Sequence, residues 1–175
     1  VEQGGTISIN DGDNNPNNNT RVEVGDEAVL NDVDLVIVSD DSTSKALLSA
    51  AGIDSSRLIS AFEINAFDLA GNKLENFKFE RQVTLVLAYD DTGLTLEEEQ
   101  NLAIYFFDGV EFRLLGGAVD TELNTVTVKI DHLTQFAVMK KEAADDKGFV
   151  YAAPNPFTPI GAGNEFDETA FIIPA

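Results

Sequence analysis

The chain has 175 residues, the size of one domain or slightly more, and 43% of them are hydrophobic. With 31 acidic and 11 basic residues its formal net charge is −20, so we expect neither nucleic acid nor an anionic membrane surface as a partner. The absence of cysteine and the single histidine, His132, argue against disulfides, thiolate metal sites, cysteine nucleophiles and sites that need two imidazoles. No apolar run approaches the roughly 18 residues of a membrane span, so we expect no membrane insertion.

The first residue and the overall composition indicate an extracellular setting. Residue 1 is Val and the sole methionine is Met139, so we expect that a signal segment was removed or that the chain was cut from a longer one. An acidic, cysteine-free chain rich in Asn, Asp, Thr and Gly is typical of secreted or cell-surface proteins of bacteria and archaea. We therefore predict a secreted or surface location.

The first half of the chain alternates short strand patterns with turn residues. Residues 10–20 have almost purely loop composition, and residues 44–51 are an apolar segment of about two helical turns that Gly52 ends. The β-branched run over residues 33–39 predicts a buried strand. The predicted strands of this half are 6–9, 21–24, 33–39 and 58–67.

The second half continues the same pattern with little helix. Thr95 to Gln100 predicts one helical turn with acids at its N-terminal end, and Asp108-Gly109 predicts the turn of a hairpin. The predicted strands are 83–89, 102–107, 111–115, 125–130 and 136–139, with a short apolar stretch at 77–79. About nine short strands without βαβ alternation predict an all-β fold, an antiparallel β-sandwich with an extended C-terminal arm.

The predicted core of this sandwich consists of apolar residues at alternating positions of the strands. Its members are Val36, Ile37, Leu85, Val86, Leu87, Ile104, Phe106, Val126, Val128, Phe136 and Val138.

The composition changes after Met139. We predict a β-sandwich domain at 1–139, a charged linker at 140–148 and an extended, proline-rich arm at 149–175, because proline fixes φ and restricts the residue before it. The arm ends in a lone apolar strand that includes Phe171, Ile172 and Ile173. Such a strand leaves backbone groups unpaired, so we expect it to pair with its own sandwich, to add to a neighbouring molecule, or to begin a further module.

Residues of about 20–140 resemble the ZU-five-type β-sandwich found in netrin receptors, ankyrins and many bacterial surface proteins. In the family's turn, Gly25 and Glu27-Ala28 stand where the family has a proline and a Gly-Ala pair. The segments that carry the resemblance are 22–38, 83–91, 102–105, Gly116-Gly117, 125–127 and 131–138. The arm segment Pro154 to Pro159, together with Thr169 to Phe171, resembles the first strand of Ig-like modules at the C-termini of secreted bacterial proteins.

His132, Leu133 and Thr134 are similar to the cleavage site of the GAIN domains of adhesion receptors, although the cysteines and tryptophan around that site are absent here. The resemblance implies that His132 takes the Thr134 hydroxyl proton, and that the hydroxyl attacks the Leu133 carbonyl and converts the peptide bond into an ester that water opens. The alternative is a hydrogen-bonded turn before a strand. We expect the structural role, because bacterial modules with this signature are mostly structural.

Two further sites are suggested by loop residues. Asp11, Asp13 and Asn15 alternate as calcium ligands do, but no bidentate glutamate follows at the required distance, so solvated turn acids are the favoured interpretation. Asn18 begins a glycosylation sequon on a predicted loop. We expect no cofactor, with calcium as an open alternative.

No pattern in the sequence predicts an active site for an outside substrate. We expect a non-enzymatic structural or adhesive module, a subunit of a surface assembly or filament joined by strand donation from the C-terminal arm. Its expected partners are copies of itself or neighbouring surface proteins. The alternatives are a self-cleaving module at Leu133-Thr134 and an accessory binding domain of a larger secreted protein.

Overall fold

The computed structural model describes residues 4–9 and 16–142, which form a sandwich of two antiparallel sheets. The strands are β1 (Gly5–Ser8), β2 (Arg21–Val24), β3 (Asp34–Ser39), β4 (Leu58–Phe67), β5 (Lys78–Ala88), β6 (Leu102–Phe107), β7 (Phe112–Gly116), β8 (Ala118–Asp120), β9 (Thr125–His132) and β10 (Gln135–Lys140). The helices are α1 (Asp41–Ala50) and α2 (Leu96–Gln100), with a 3-10 turn at Ser55–Arg57.

Each sheet has five strands. The order in the first sheet is β1-β2-β5-β9-β8, and the order in the second sheet is β3-β4-β10-β6-β7. All strand pairs within each sheet are antiparallel. The prediction of an all-β antiparallel sandwich is therefore confirmed.

The main core lies between the two sheets and is built from alternate strand residues. Of the predicted core, Leu85, Leu87, Ile104, Val126, Phe136 and Val138 are fully buried in it. Ile37, Phe106 and Val128 are half-buried and pack against it, and Val86 is buried on the opposite face of β5. The prediction for Val36 was wrong: its side chain alternates outward from Leu35 and Ile37 and is 42% exposed.

Helix α1 covers part of the outer face of the second sheet. It begins three residues earlier than predicted because the Asp40 carboxylate accepts a hydrogen bond from the Thr43 N–H at 3.1 Å and caps the helix. The fully buried Leu48 points from α1 onto the sheet. Beneath it lies a second apolar cluster of Leu58, Ala61, Ala103, Tyr105, Phe112, Ala137 and Met139.

Strands β5 and β8 differ most from the sequence prediction. Strand β5 begins at Lys78, so it includes most of the separate stretch predicted at 77–79, and its register with β9 shifts between Lys78 and Val83. The short strand β8 follows Gly116-Gly117, where both glycines have positive φ. A pair of glycines predicts only a break, and pairing of β8 with β9 is a tertiary contact that no local pattern indicates.

The described chain enters and leaves the sandwich at opposite ends. Gly5 pairs with Val24 at the end of β2, whereas Arg21 at its start pairs with Val86 near the end of β5. The Ser60 hydroxyl donates to the carbonyl of Ala88, the last residue of β5, at 2.9 Å. Ser60 on β4 pairs with Val138 on β10, so the last residues of β10 lie close to the last residues of β5. The chain therefore leaves β10 on the side of the sandwich that is distant from Gly5.

Candidate functional site

The predicted cleavage site lies where the chain crosses from one sheet to the other. His132 ends β9 in the first sheet, Gln135 begins β10 in the second, and Leu133 and Thr134 connect them. The Leu133 N–H donates to the Phe77 carbonyl at 3.2 Å, and the Thr134 carbonyl accepts from the Ile64 N–H at 3.3 Å. The connection is therefore tied to both sheets.

His132 is oriented by the residue before it. Its Nδ1 lies 2.7 Å from Asp131 Oδ1, and its ring meets the Phe106 ring edge-on with centroids 5.4 Å apart. The hydrogen bond to the imidazole holds the pKa of Asp131 below its ordinary value. The His132 side chain is 33% exposed, so solvent reaches part of the ring.

The Thr134 hydroxyl is hydrogen-bonded away from His132. It donates to the carbonyl of Phe107, the last residue of β6, at 2.7 Å. A carbonyl cannot take up a proton as a general base would, and an attacking hydroxyl needs a base within hydrogen-bond distance. In this geometry Thr134 connects two strands of the sheet, and cleavage at Leu133-Thr134 stays a prediction.

A polar groove of about 350 Å³ adjoins this crossover. Glu63 and Lys73 form an ion pair at 3.5 Å within its wall, and Gln135 in its lining donates to the Ser44 hydroxyl of α1 at 2.8 Å. Further lining residues are Asp40, Thr43, Asn65, Glu75, Asn76 and Phe107. The groove offers hydrogen-bond donors and acceptors to a small polar molecule, and the accessory-binding alternative stays a prediction.

A buried cation holds the C-terminal exit of the sandwich. Arg57 is 9% exposed; its Nε donates to the Lys140 carbonyl at 2.9 Å and its Nη2 to the Tyr105 hydroxyl at 3.2 Å. Its Nη1 pairs with Glu142 at 3.3 Å. Lys140 is the last residue of β10, and Glu142 lies two residues after it. Arg57 therefore fixes the direction in which the chain leaves β10.

Helix α2 holds the exit from the other side. Glu98 completes a capping box with Thr95 and pairs with Lys140 Nζ at 2.7 Å. These hydrogen bonds, the one from Lys140 first, lower the pKa of Glu98 to about 2. The Asn101 backbone carbonyl accepts a hydrogen bond from the Lys141 N–H at 3.0 Å, and the Asn101 side-chain Nδ2 donates to the Lys141 carbonyl at 3.1 Å.

These residues form an exit clamp, which comprises Arg57, Glu98, Asn101 and their contacts to 140–142, and the sequence did not predict it. Arg57 precedes a strand and is one of 11 basic residues, and nothing in the local pattern indicates that it is buried. Its contacts span 83 residues of sequence, so only the tertiary fold brings them together. The capping box of α2 was the one part with a local signal.

Three aspartates of the consecutive pairs Asp40-Asp41 and Asp90-Asp91 accept hydrogen bonds from backbone N–H groups. Asp40 caps α1, Asp41 accepts from the Ala61 N–H at 2.8 Å, and Asp90 accepts from the Thr92 N–H at 2.9 Å. Hydrogen bonds from Thr43 and Thr92 lower the pKa values of Asp40 and Asp90, respectively. Within residues 4–9 and 16–142, no three potential ligands cluster as a metal site.

The remaining predicted sites are the calcium residues, the apolar arm residues and the glycosylation sequon. Asp11, Asp13 and Asn15, and likewise Phe171, Ile172 and Ile173, lie outside the described residues. Asn18 is described and half-buried in a turn. The hydroxyl of its sequon partner Thr20 is fully buried and accepts from the Ala88 N–H at 2.9 Å, so in the folded protein it is engaged in the sandwich.

Among the described residues, no helix is long and apolar enough to cross a membrane. Comparison of the chain with models of known families, with curated proteins and with solved structures found no significant match.

Proposed function

We propose that this protein is a non-enzymatic structural module of an extracellular assembly, and that the C-terminal arm joins neighbouring copies by strand donation. The observation that carries the proposal is the opposite placement of the two ends of the described sandwich. Gly4 leads into β1 at one end, and 140–142 leave at the other. A module with this geometry extends a linear assembly by its own length.

The exit clamp supports the same function. A structural subunit must present its connecting segment in a defined direction, and Arg57, Glu98 and Asn101 hold three consecutive residues there. The buried Arg57 makes charge-assisted hydrogen bonds, which are stronger than neutral ones. The sequence that follows therefore departs from a fixed point on the second sheet.

The arm is the proposed connecting element because its last apolar residues need a sheet to pair with. Phe171, Ile172 and Ile173 follow a proline-rich segment in sequence. Addition of a strand to the sheet of the next molecule satisfies its backbone groups and buries these side chains. Repeated from head to tail, such an exchange is heterologous and produces a filament.

Replacement of the apolar residues of the arm tests the proposal. We expect the unmodified chain to form polymers in sedimentation velocity and a variant with Phe171→Ser, Ile172→Ser and Ile173→Ser to sediment as a monomer with an unchanged circular dichroism spectrum. A control variant with Thr158→Ser keeps the apolar residues and should polymerise. Polymers of the triple variant, or a monomeric unmodified chain, would contradict strand donation.

A further inference from the structure

The four edge strands of the sandwich differ in how well they are protected against added strands. Sheets usually block their edges with charges, irregular pairing or short strands. Strand β8 has three residues and ends in Asp120, and β1 has four residues beginning with Gly5. Strand β7 carries Arg113, which pairs with Asp108 and Glu111, and its register with β6 shifts between Ile104 and Tyr105.

Strand β3 is protected only at its two ends: it begins with the charged Asp34, and the Ser39 hydroxyl accepts a hydrogen bond from Asn17 Nδ2 at 3.2 Å. It has six residues, and all six pair with β4 without a register shift. Between Asp34 and Ser39 it is entirely apolar, and Val36 and Val38 are 42% and 46% exposed on its outer face. Within the described part of the chain, β4 is its one strand partner.

The inner side of the β3 edge is partly apolar, with the carboxylates of Asp32 and Asp34 in its lining. A groove of about 350 Å³ lies between β3 and β1, the adjacent edges of the two sheets. Its apolar lining comprises Ile7, Val24, Val29, Val33, Leu35 and Leu69, of which Leu69 is 73% exposed. Because side chains alternate along a strand, a strand added to β3 would place alternate residues in this groove and the others beside Val36 and Val38.

We propose that β3 is the edge that accepts the donated strand, and that its occupant is the segment Phe171–Ile173 of a neighbouring copy. This inference rests on the proposed function, and it identifies the strand to which the donated segment adds. Val36 and Val38 make the outer face of the β3 edge apolar, and Leu35, Ile7 and Val24 provide apolar contacts on the groove face, so a partner with consecutive apolar residues fits it; Phe171, Ile172 and Ile173 supply them. An amphipathic strand would cover the apolar contacts of one of the two faces with polar side chains.

Charge and chain length are compatible with this occupant. An antiparallel pair of two β3 strands would bring Asp34 of one copy towards Asp40 and Asp41 of the other, which like-charge repulsion disfavours. The five residues from Thr169 to Ile173 have no charged side chain, and the acidic residues that precede them, Asp167 and Glu168, lie outside this segment. From Glu142 to Phe171 the sequence spans 29 residues (171 − 142), and at about 3.3 Å each these can reach roughly 95 Å.

Disulfide trapping tests the acceptor in the full chain, which has no cysteine of its own. Val36→Cys is combined in turn with Phe171→Cys, Ile172→Cys or Ile173→Cys, and oxidised samples are run on non-reducing gels. We expect ladders of linked chains, because each chain donates one strand and accepts another. Successive side chains of a strand point to opposite faces, so Ile172 lies on one face and Phe171 and Ile173 lie on the other. We therefore expect links to Val36→Cys either from Ile172→Cys only, or from both Phe171→Cys and Ile173→Cys.

Leu114 on β7 provides the matched control. It is 40% exposed on the edge strand at the opposite side of the same sheet, so Leu114→Cys combined with each arm cysteine should give no ladder. Equal ladders with Leu114, equal linkage at all three arm positions, or a disulfide closed within one chain would each overturn the inference. Polymers in sedimentation without Val36 links would overturn β3 as the acceptor and leave strand donation intact, whereas the absence of polymers would overturn the proposed function itself.

Discussion

Truncation of Phe136 is expected to destabilise the sandwich strongly. Phe136 is fully buried on β10, the central strand of the second sheet, and pairs directly with Phe62 and Phe106 on the two flanking strands. Phe→Ala at buried sites costs about 3–5 kcal/mol, because transfer free energy is lost and a cavity remains. Against a typical stability of about 5–15 kcal/mol, this is about a fifth of the total or more.

Urea unfolding followed by circular dichroism measures this effect. We expect Phe136→Ala to lower the free energy of unfolding by about 4 kcal/mol and the melting temperature by about 10 °C. Leu123→Ala is the control: Leu123 is 62% exposed in a turn, so its truncation should change stability by less than about 0.5 kcal/mol. A loss below about 1.5 kcal/mol for Phe136→Ala would refute full burial in a tightly packed core.

The remaining predictions concern the exit clamp, the crossover and metal binding. Arg57→Met should cost about 1.5–3 kcal/mol in urea unfolding through lost charged hydrogen bonds, whereas Arg81→Met, at a 66% exposed ion pair, should cost under about 1 kcal/mol. The folded pKa of Glu98 is about 2, below its ordinary 4.5, so its contribution to stability is present above pH 4.5 and is lost as the pH falls towards 2; Glu98→Gln should reduce this acid-induced loss. Thr134→Ala should run as one full-length band on denaturing gels, as should the unmodified chain, and should cost about 1 kcal/mol through the lost Phe107 hydrogen bond; two bands from the unmodified chain alone would indicate cleavage. A chelator should leave the melting curve unchanged, and a lowered melting temperature would indicate a bound metal.

The sandwich could be predicted from the sequence because its strands have strong local patterns. Alternating apolar residues in β4 and β9, and the Asp108-Gly109 turn between β6 and β7, predict elements close to the observed ones. Val36 was misassigned because residues 35–38 of β3 are uniformly apolar, so their sequence resembles that of a strand buried on both faces. Whether a strand lies at an edge depends on its partners, which the local pattern does not contain.

The functional residues were less predictable than the fold. His132, Leu133 and Thr134 were singled out from a motif, but the direction of the Thr134 hydroxyl depends on the position of Phe107, 27 residues earlier in the chain. Arg57 was missed because its burial arises from contacts with Tyr105, Lys140 and Glu142. Spacing along the chain indicates which chemistry a segment can perform, whereas hydrogen-bond partners across sheets decide which role it has.

Negative-stain electron microscopy of the unmodified chain tests the central claim most directly. A structural module joined by strand donation should appear as filaments with a regular axial repeat, because a head-to-tail exchange does not close. The filaments should be absent from a chain that lacks residues 160–175, and its sandwich should stay folded. Single compact particles at every protein concentration, or filaments that persist after this deletion, would contradict the account.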